Sequence, residues 1–176
     1  KRTFNGTEAL SNIVSQLTKK AAAAGDQLVL TTTEPVNVYA DYDRFVQVIF
    51  NITQNAVQFT ENGQVTLTIK ALATGTEVKI SDNGVGMSDD QLQNIWERYY
   101  KADPSRKNTK YGESGLGLAI VHSLVEQHYG QITVESELHQ GSTFTVTFPN
   151  EVEAARLAGH SKLIKPKQDE ADQGSN

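Results

Sequence analysis

The chain has 176 residues, enough for one domain with a sizeable core. Its 16 Lys and Arg residues stand against 21 Asp and Glu residues, a formal net charge of -5, and the basic residues form no cluster that would favour nucleic-acid binding. Cysteine is absent, which excludes disulfides, thiolate metal sites and cysteine nucleophiles.

Residue spacing predicts alternating helices and strands in the first half of the chain. Apolar residues recur at helical intervals in two long segments, and short runs rich in valine and threonine are typical of strands. We predict, in chain order, a helix over 7–24, strands over 28–33 and 36–40, and a second helix that begins after Asp41 or Asp43 and reaches about Phe59.

The second half is predicted to contain a hairpin, two helices and a final pair of strands. Alternation of apolar and polar residues around Thr74 and Gly75 is typical of a β-hairpin. The predicted elements are strands over 64–72 and 76–81, a short helix over 88–95, a helix over 114–128, and strands over 131–136 and 142–148. Residues 100–113 contain few apolar side chains, so we expect a mobile loop there. We assign 1–149 to the folded domain and expect a polar tail over 150–176 that is disordered or partly helical, with a short helix at most.

The sequence contains no run of about 18 apolar residues, and its first ten residues lack the apolar segment of a signal peptide. We therefore expect a soluble, cytoplasmic chain without direct membrane contact. The parent protein of such a chain can still be a membrane-anchored sensor.

The second predicted helix has an unusual polar face. Its core-facing stripe consists of Phe45, Ile49, Ile52, Ala56 and Phe59. A second stripe, displaced by about 100° and here named the amide stripe, consists of Gln47, Asn51, Asn55 and Gln58. A solvated face usually carries Lys and Glu, whereas amides both donate and accept hydrogen bonds. The amide stripe therefore indicates a ligand site or, on the alternative interpretation, an uncharged solvated face.

The segment from Asp82 to Met87, with the sequence DNGVGM, follows the end of a predicted strand. A carboxylate at that position can accept a hydrogen bond from an exocyclic amine, and the two glycines allow a flat ring to approach the backbone. The alternative interpretation is a tight glycine turn without a ligand.

Glycines also lead into the helix predicted over 114–128. The segment from Gly112 to Ile120 reads GESGLGLAI, and free N–H groups at a helix start form an anion site that suits a polyphosphate. Its glycine order differs from a dinucleotide fingerprint, no strand is predicted before it, and no Gly-Lys-Ser/Thr ending marks a P-loop. The pattern therefore argues against two common nucleotide-binding folds.

Five short motifs follow one another along the chain. They are Asn51-x-x-x-Asn55-Ala56, Asp82-x-Gly84-x-Gly86, Trp96-Glu97-Arg98-Tyr99, Gly112-x-x-Gly115-x-Gly117 and Gly141-Ser142-Thr143-Phe144. Together they resemble the nucleotide-binding boxes of sensor histidine kinases, and more widely the family of gyrase, mismatch-repair and chaperone ATPases, over roughly 7–149. The resemblance implies an α+β fold, a two-layer α/β sandwich in which a mixed, mostly antiparallel sheet of about five strands is covered on one face by about three helices, with a mobile ATP lid.

The resemblance also implies a role for the motif residues in binding Mg²⁺ and ATP. Asn55 would be the side-chain ligand of Mg²⁺, with Asn51 beside the phosphates. Asp82 would hold the adenine amine, and Gly84 and Gly86 would lie beneath the ring.

The remaining implied roles concern the base pocket and the phosphates. Phe59 would cover the base, and Ser142 or Thr143 would line the back of its pocket. Arg98 and Lys101 would approach the terminal phosphates. Further phosphate contacts would come from the glycine-rich segment, namely from Gly112, Ser114, Gly115, Leu116, Gly117 and Leu118.

The sequence departs from the family pattern at several positions. Gln58 stands near the phosphates where lysine is common, which removes a positive charge from that part of the site. Phe59 replaces a frequent tyrosine and keeps its stacking face. Trp96 and Tyr99 replace phenylalanines and still permit aromatic packing under the lid.

The implied activity is that of an ATP-dependent protein histidine kinase, with Asn51, Asn55 and Arg98 as catalytic residues. In this family the nucleophile is a histidine on a separate dimerisation domain of the same parent kinase, and a response regulator acts downstream. None of the four histidines in this sequence is followed by the Glu-x-x-x-Pro pattern of that phosphoacceptor. We therefore expect this chain to bind Mg²⁺-ATP and to be the donor half of a two-component signalling kinase.

Three other functions are compatible with parts of the sequence. An ATPase of the gyrase or chaperone type would need a general base where Asn51 stands, and an amide cannot take a proton from water. A nucleotide-binding scaffold without transfer activity is favoured by Gln58 alone. A related anti-sigma serine kinase would differ in its substrate, which this sequence does not identify.

Overall fold

The computed structural model describes residues 1–97 and 117–164, with the backbone alone for 161–164, and places five strands in one mixed sheet. The elements are, in chain order, β1 (Arg2–Asn5), α1 (Gly6–Ala23), β2 (Gln27–Leu30), β3 (Asn37–Ala40), α2 (Tyr42–Gln58), β4 (Gln64–Leu72), β5 (Gly75–Asp82), α3 (Asp89–Asn94), α4 (Gly117–Gln127), β6 (Gln131–Glu137), β7 (Gly141–Pro149) and α5 (Glu151–Ile164). Each helix and strand predicted within the described ranges is present, with ends that differ by a few residues.

The main sheet has the strand order β2-β4-β5-β7-β6, with β2 and β4 parallel and the other neighbours antiparallel. Side chains alternate in burial along β4, where Val65, Leu67 and Ile69 point into the core. The helices α1, α2 and α4 pack against this sheet. The predicted α+β fold, with a mostly antiparallel sheet of about five strands covered by about three helices, is confirmed.

A second, two-stranded sheet was not predicted. In it β1 pairs antiparallel with β3, with Phe4 opposite Val38. The strand predicted over 36–40 therefore belongs to this small sheet. The Phe4 ring meets the rings of Tyr42 and Phe45 edge-on at centroid distances of 5.1 and 5.2 Å, which attaches β1 to the start of α2.

Side-chain caps determine where α2 and α3 begin. The Asp41 side chain accepts a hydrogen bond from the N–H of Arg44 at 3.0 Å, so Asp41 rather than Asp43 is the N-cap of α2. Ser88 and Gln91 form a capping box at the start of α3.

The helix α5 has 14 residues in the segment where we expected a short helix at most. The Asn150 side chain accepts a hydrogen bond from the N–H of Glu153, and the Asn150 N–H donates to the carbonyl of Thr74, each at 2.9 Å. These bonds tie the start of α5 to the β4–β5 turn. The loop predicted over 100–113 lies outside the described residues, and the domain boundary after Pro149 stays a prediction. Within the described ranges, no helix combines the length and apolar character needed to cross a membrane.

Candidate nucleotide-binding site

The two faces of α2 differ in burial as the sequence predicts. Phe45, Ile49 and Ile52 are fully buried, whereas Asn51 and Asn55 are half-buried at the edge of the core. Amide groups in that position have lost part of their hydration and can exchange hydrogen bonds with a ligand. The amide stripe therefore lies where a binding site can form, beside the core and within reach of solvent.

Gln58, the last residue of α2, continues the amide stripe. Its side-chain oxygen is buried and has no hydrogen-bond partner among the described residues, and the same is true of the hydroxyl of Thr60. Buried oxygens without a partner are rare, because the lost hydration is normally replaced by a hydrogen bond. A hydrogen-bond donor on a ligand would satisfy the Gln58 oxygen.

Asp82 is the last residue of β5 and lies in register with Ser142 of β7. Its Oδ1 atom accepts a hydrogen bond from the N–H of Gly84 at 2.9 Å. The turn that follows the strand thus holds the carboxylate in place. This is the position at which the sequence predicts an acceptor for an exocyclic amine.

Burial raises the pKa of Asp82 above its ordinary value, and the charge of Asp26 acts in the same direction. The N–H groups of Gly84 and Ser142 lower this pKa. The nearby Thr60 hydroxyl also lowers it, although its geometry falls short of a hydrogen bond with any described group. Burial is the largest of these effects, so the ionised carboxylate is poorly solvated and would gain from a donor on a ligand.

Asp26 was not predicted to lie near this site. It is 7% exposed, its Oδ1 atom accepts a hydrogen bond from the N–H of Gly63 at 2.8 Å, and its other oxygen has no partner among the described residues. In the sequence Asp26 is a polar residue that follows Gly25 at the end of a helical pattern, which carries no signal of burial. The parallel pairing of β2 with β4 brings it beside Gly63.

Close packing explains why residues 84 and 86 are glycines. A Cβ atom on Gly84 would overlap the carbonyl oxygen of Phe59, and one on Gly86, whose φ is +67°, would overlap that of Glu137. The N–H of Val85 donates to the Phe59 carbonyl at 3.1 Å. The DNGVGM turn therefore lies between the end of α2 and the end of β6, and the fold needs both glycines whether or not a ring lies against them.

Of the two residues predicted to line the back of the base pocket, the structure places only Ser142 on the same face of the sheet as Asp82. Ser142 is 8% exposed, and its hydroxyl lies 2.7 Å from that of Ser136 on β6. Thr143 is the next residue along β7, so its side chain points to the opposite face, where its hydroxyl meets that of Ser81. Thr143 is thereby turned away from the helices and from the Asp82 side chain.

The helix α4 runs antiparallel to α2. At the end of α4, His128 accepts a hydrogen bond from the N–H of Asp41, the N-cap of α2, and α4 packs along α2. Because the end of α4 lies at the start of α2, Gly117 lies toward the C-terminal half of α2. Among the described residues, a Cβ atom on Gly117 would meet nothing within 4 Å.

Trp96 packs between α4 and the sheet. Its ring centroid is 5.3 Å from that of His122 and 6.2 Å from that of Phe144. This is the kind of aromatic packing expected at the Trp-Glu-Arg-Tyr motif, and Leu118 also packs against the core. The other predicted residues of this region lie outside the described residues, namely Arg98, Tyr99, Lys101, Gly112, Ser114, Gly115 and Leu116.

Comparison with known families identifies the domain. The model of the family described as histidine kinase-, DNA gyrase B-, and HSP90-like ATPase matches residues 40–152 of this chain. The chain belongs to this family. The match spans α2, the Asp82 turn, α4 and β7, which together bear the described residues of the candidate site.

Similar curated proteins include sensor kinases. Sensor histidine kinase YclK of Bacillus subtilis is 42% identical over 142 residues, which cover 81% of this chain and 30% of YclK. The autoinducer 2 sensor kinase/phosphatase LuxQ of Vibrio vulnificus is 33% identical over 159 residues, which cover 86% of this chain and 18% of LuxQ. The chain spans less than a third of either relative.

Solved structures have the same fold. Full-length ShkA in complex with AMPPNP superimposes with a TM-score of 0.74 at 30% identity, over 84% of this chain and 30% of ShkA. The nucleotide-free catalytic domain of histidine kinase ThkA superimposes with a TM-score of 0.72 at 27% identity, over 84% of this chain and 93% of that domain. The resemblance to the ATP-binding catalytic domain of sensor histidine kinases is confirmed.

Proposed function

We propose that this chain binds Mg²⁺-ATP and donates the γ-phosphoryl group to a histidine on a separate dimerisation domain of its parent kinase, with a response regulator acting downstream. The observation that carries the proposal is that the Asp82 turn packs, through the carbonyl of Phe59, on the end of α2, the helix that bears the amide stripe. Such a site offers a carboxylate for a base and amides for phosphates. The similarity to YclK and to ShkA, whose structure contains AMPPNP, supports it.

The base end of the proposed site is formed around Asp82. Its carboxylate accepts a hydrogen bond from the 6-amino group of adenine, whereas guanine would present a carbonyl oxygen that repels it. Phe59 covers the base from the end of α2, and Ser142 lies behind it. Gly84 and Gly86 lie beneath the ring.

The phosphate end is formed by Asn51 and Asn55 of α2. Residues 1–97 and 117–164 contain no group of three or more acidic or histidine side chains that could hold a metal ion. Mg²⁺ commonly takes one or two protein oxygens and completes its shell with phosphates and water, so the amide oxygen of Asn55 fits this ion. Bound Mg²⁺ neutralises charge on the phosphate oxygens. Asn51 orients the phosphates, and we assign the remaining contacts to Arg98, Lys101, Gly112 and the backbone N–H groups of 114–118, as the resemblance implies.

The residues of this chain align ATP and leave the nucleophile to another domain. In phosphoryl transfer a protein mainly positions the reactants and stabilises charge. Asn51 stands where a hydrolytic relative has a general base, and its amide cannot remove a proton from water. We therefore expect transfer to a histidine supplied in trans, with hydrolysis as a slow side reaction.

The proposal is tested with radiolabelled ATP and the chain, alone and with the histidine-bearing dimerisation domain of its parent kinase. We expect the chain to bind ATP and the added domain to gain acid-labile, base-stable phosphate. Failure to bind ATP, or rapid labelling of the isolated chain, would contradict the proposal. Acid-stable phosphate on a serine of a partner would identify the anti-sigma type of kinase, and binding without transfer would identify a nucleotide-binding scaffold.

A further inference from the structure

The buried side-chain oxygen of Gln58 needs a hydrogen-bond donor that the described residues do not supply. Gln58 is the last residue of α2 and is only partly buried as a residue, while its side-chain oxygen is closed off from water. A buried acceptor that stays unpaired costs free energy, whereas a ligand hydroxyl or amine would remove that cost. The oxygen is therefore suited to contact a donor on the bound molecule.

The position of Gln58 along α2 indicates which part of a nucleotide it faces. The base end begins with the next residue, because the Phe59 carbonyl accepts a hydrogen bond from Val85 at 3.1 Å and Gly84 packs on the same carbonyl. The phosphate end includes Asn55, which lies about one helical turn earlier on the amide stripe. Gln58 lies between these two ends. In ATP the group between the base and the phosphates is the ribose.

The chemistry of the Gln58 oxygen agrees with this position. Phosphate oxygens of ATP accept hydrogen bonds and do not donate them, so they cannot satisfy a carbonyl oxygen, whereas the ribose has two hydroxyl donors. A lysine, which the family pattern described above commonly has at this position, has donors and no acceptor and suits a phosphate instead. Glutamine thus changes the kind of group that this position can recognise.

We propose that the side-chain oxygen of Gln58 accepts a hydrogen bond from a ribose hydroxyl of the bound nucleotide, so that the site discriminates ribonucleotides from deoxyribonucleotides. This inference rests on the proposed function, because it requires ATP to occupy the site with its base at Asp82 and its phosphates at Asn55.

The test compares the dissociation constants of ATP, 2′-deoxy-ATP and 3′-deoxy-ATP, measured by calorimetry with Mg²⁺ present. Wild-type protein should bind ATP more tightly than at least one deoxy form by roughly fivefold to tenfold, which corresponds to one net hydrogen bond. Gln58→Met, which keeps the length and removes the acceptor, should bind that deoxy form and ATP equally. Gln58→Glu keeps an acceptor and should keep the discrimination, with weaker binding of all three nucleotides because of its charge near the phosphates.

The control variant is Gln93→Met, which changes an exposed glutamine of α3 and should retain wild-type discrimination. Circular dichroism and the melting temperature establish that each variant is folded. Equal affinity of wild-type protein for the three nucleotides, or unchanged discrimination in folded Gln58→Met, would overturn the inference and leave the proposed function standing. If Gln58→Met lost affinity equally for all three nucleotides, and only with Mg²⁺ present, the Gln58 oxygen would be a ligand of Mg²⁺. That result would also overturn the inference. Failure of wild-type protein to bind ATP would overturn the proposed function itself.

Discussion

The imidazole Nε2 of His128 accepts a hydrogen bond from the backbone N–H of Asp41 at 3.2 Å, while its Nδ1 lies 2.7 Å from the carbonyl oxygen of Leu124. The buried ring also packs edge-on against Phe148 at 5.7 Å. It thus joins the end of α4 to the N-cap of α2. Because Nε2 accepts, this arrangement requires the neutral imidazole with its proton on Nδ1.

We predict that His128 makes the protein less stable in mild acid. Burial is the main cause that lowers the pKa of His128 below its ordinary value of 6.5, and the charge of Lys1 adds to it against opposing effects of Leu124 and Asp41. The unfolded chain therefore binds a proton at a pH where the folded protein does not. The sign follows directly, since stability falls as the pH falls from about 6.5 through the lower pKa of the folded state.

Urea unfolding at pH 7.5 and pH 5.5 measures this effect. His128→Gln should lose part of the pH dependence, because its amide does not titrate. His160→Gln, which changes an exposed histidine of α5, should behave as wild type. An equal loss of stability on acidification in wild type and His128→Gln would refute the assignment.

Asp82 should determine the preference for adenine. Asp82→Asn keeps the size of the side chain and removes the charge that strengthens its bond to an amine, so ATP binding should weaken by roughly 1.5–3 kcal/mol. Calorimetric titration with ATP and GTP measures both the loss and the preference. Asp89→Asn, at an exposed position of α3, serves as the control. Equal binding of ATP and GTP by wild-type protein would rule out this role.

Nucleotide affinity should also depend on pH through Asp82. Burial raises its pKa above the ordinary 3.8, so on acidification this carboxylate takes up a proton earlier than an exposed aspartate does. As the pH falls, ATP affinity should therefore begin to decline at a pH above 3.8, and Asp82→Asn should lack that decline. For folding the sign is opposite, since the folded state binds this proton more tightly and Asp82 favours folding as the pH falls. ATP binding and unfolding are for this reason measured separately. The same dependence of ATP affinity on pH in wild type and in Asp82→Asn would count against the prediction.

Asn55→Ala should abolish phosphoryl transfer and leave the fold intact. The change removes the proposed Mg²⁺ ligand from a half-buried polar face and creates no large core cavity, so the free energy of unfolding should change by less than about 1.5 kcal/mol. Transfer to the added dimerisation domain is followed as acid-labile phosphate, and urea unfolding checks the fold. Gln54→Ala, on the same helix but outside the amide stripe, is the matched control. Undiminished transfer by folded Asn55→Ala would show that the metal ligand has been assigned wrongly.

Local patterns in the sequence were sufficient to predict most helices and the hairpin. The spacing of Phe45, Ile49 and Ile52 predicted α2, and strict alternation predicted β4 and β5, because helical and extended periods are set by near neighbours in the chain. The order of the short motifs likewise predicted the family and the fold. Composition indicated little about β1, because Phe4 is the one apolar side chain in its four residues.

The sequence by itself thus determined most of the helices, the hairpin and the type of each residue available at the site. Only the tertiary structure decided which of those residues meet, since that depends on contacts between distant parts of the chain. Pairing of β5 with β7 places Ser142 beside Asp82 and turns Thr143 to the other face, which a motif that contains both residues cannot distinguish. The burial of Asp26 and the unpaired oxygen of Gln58 are also properties of packing, because a side chain loses its hydration only when other elements close over it.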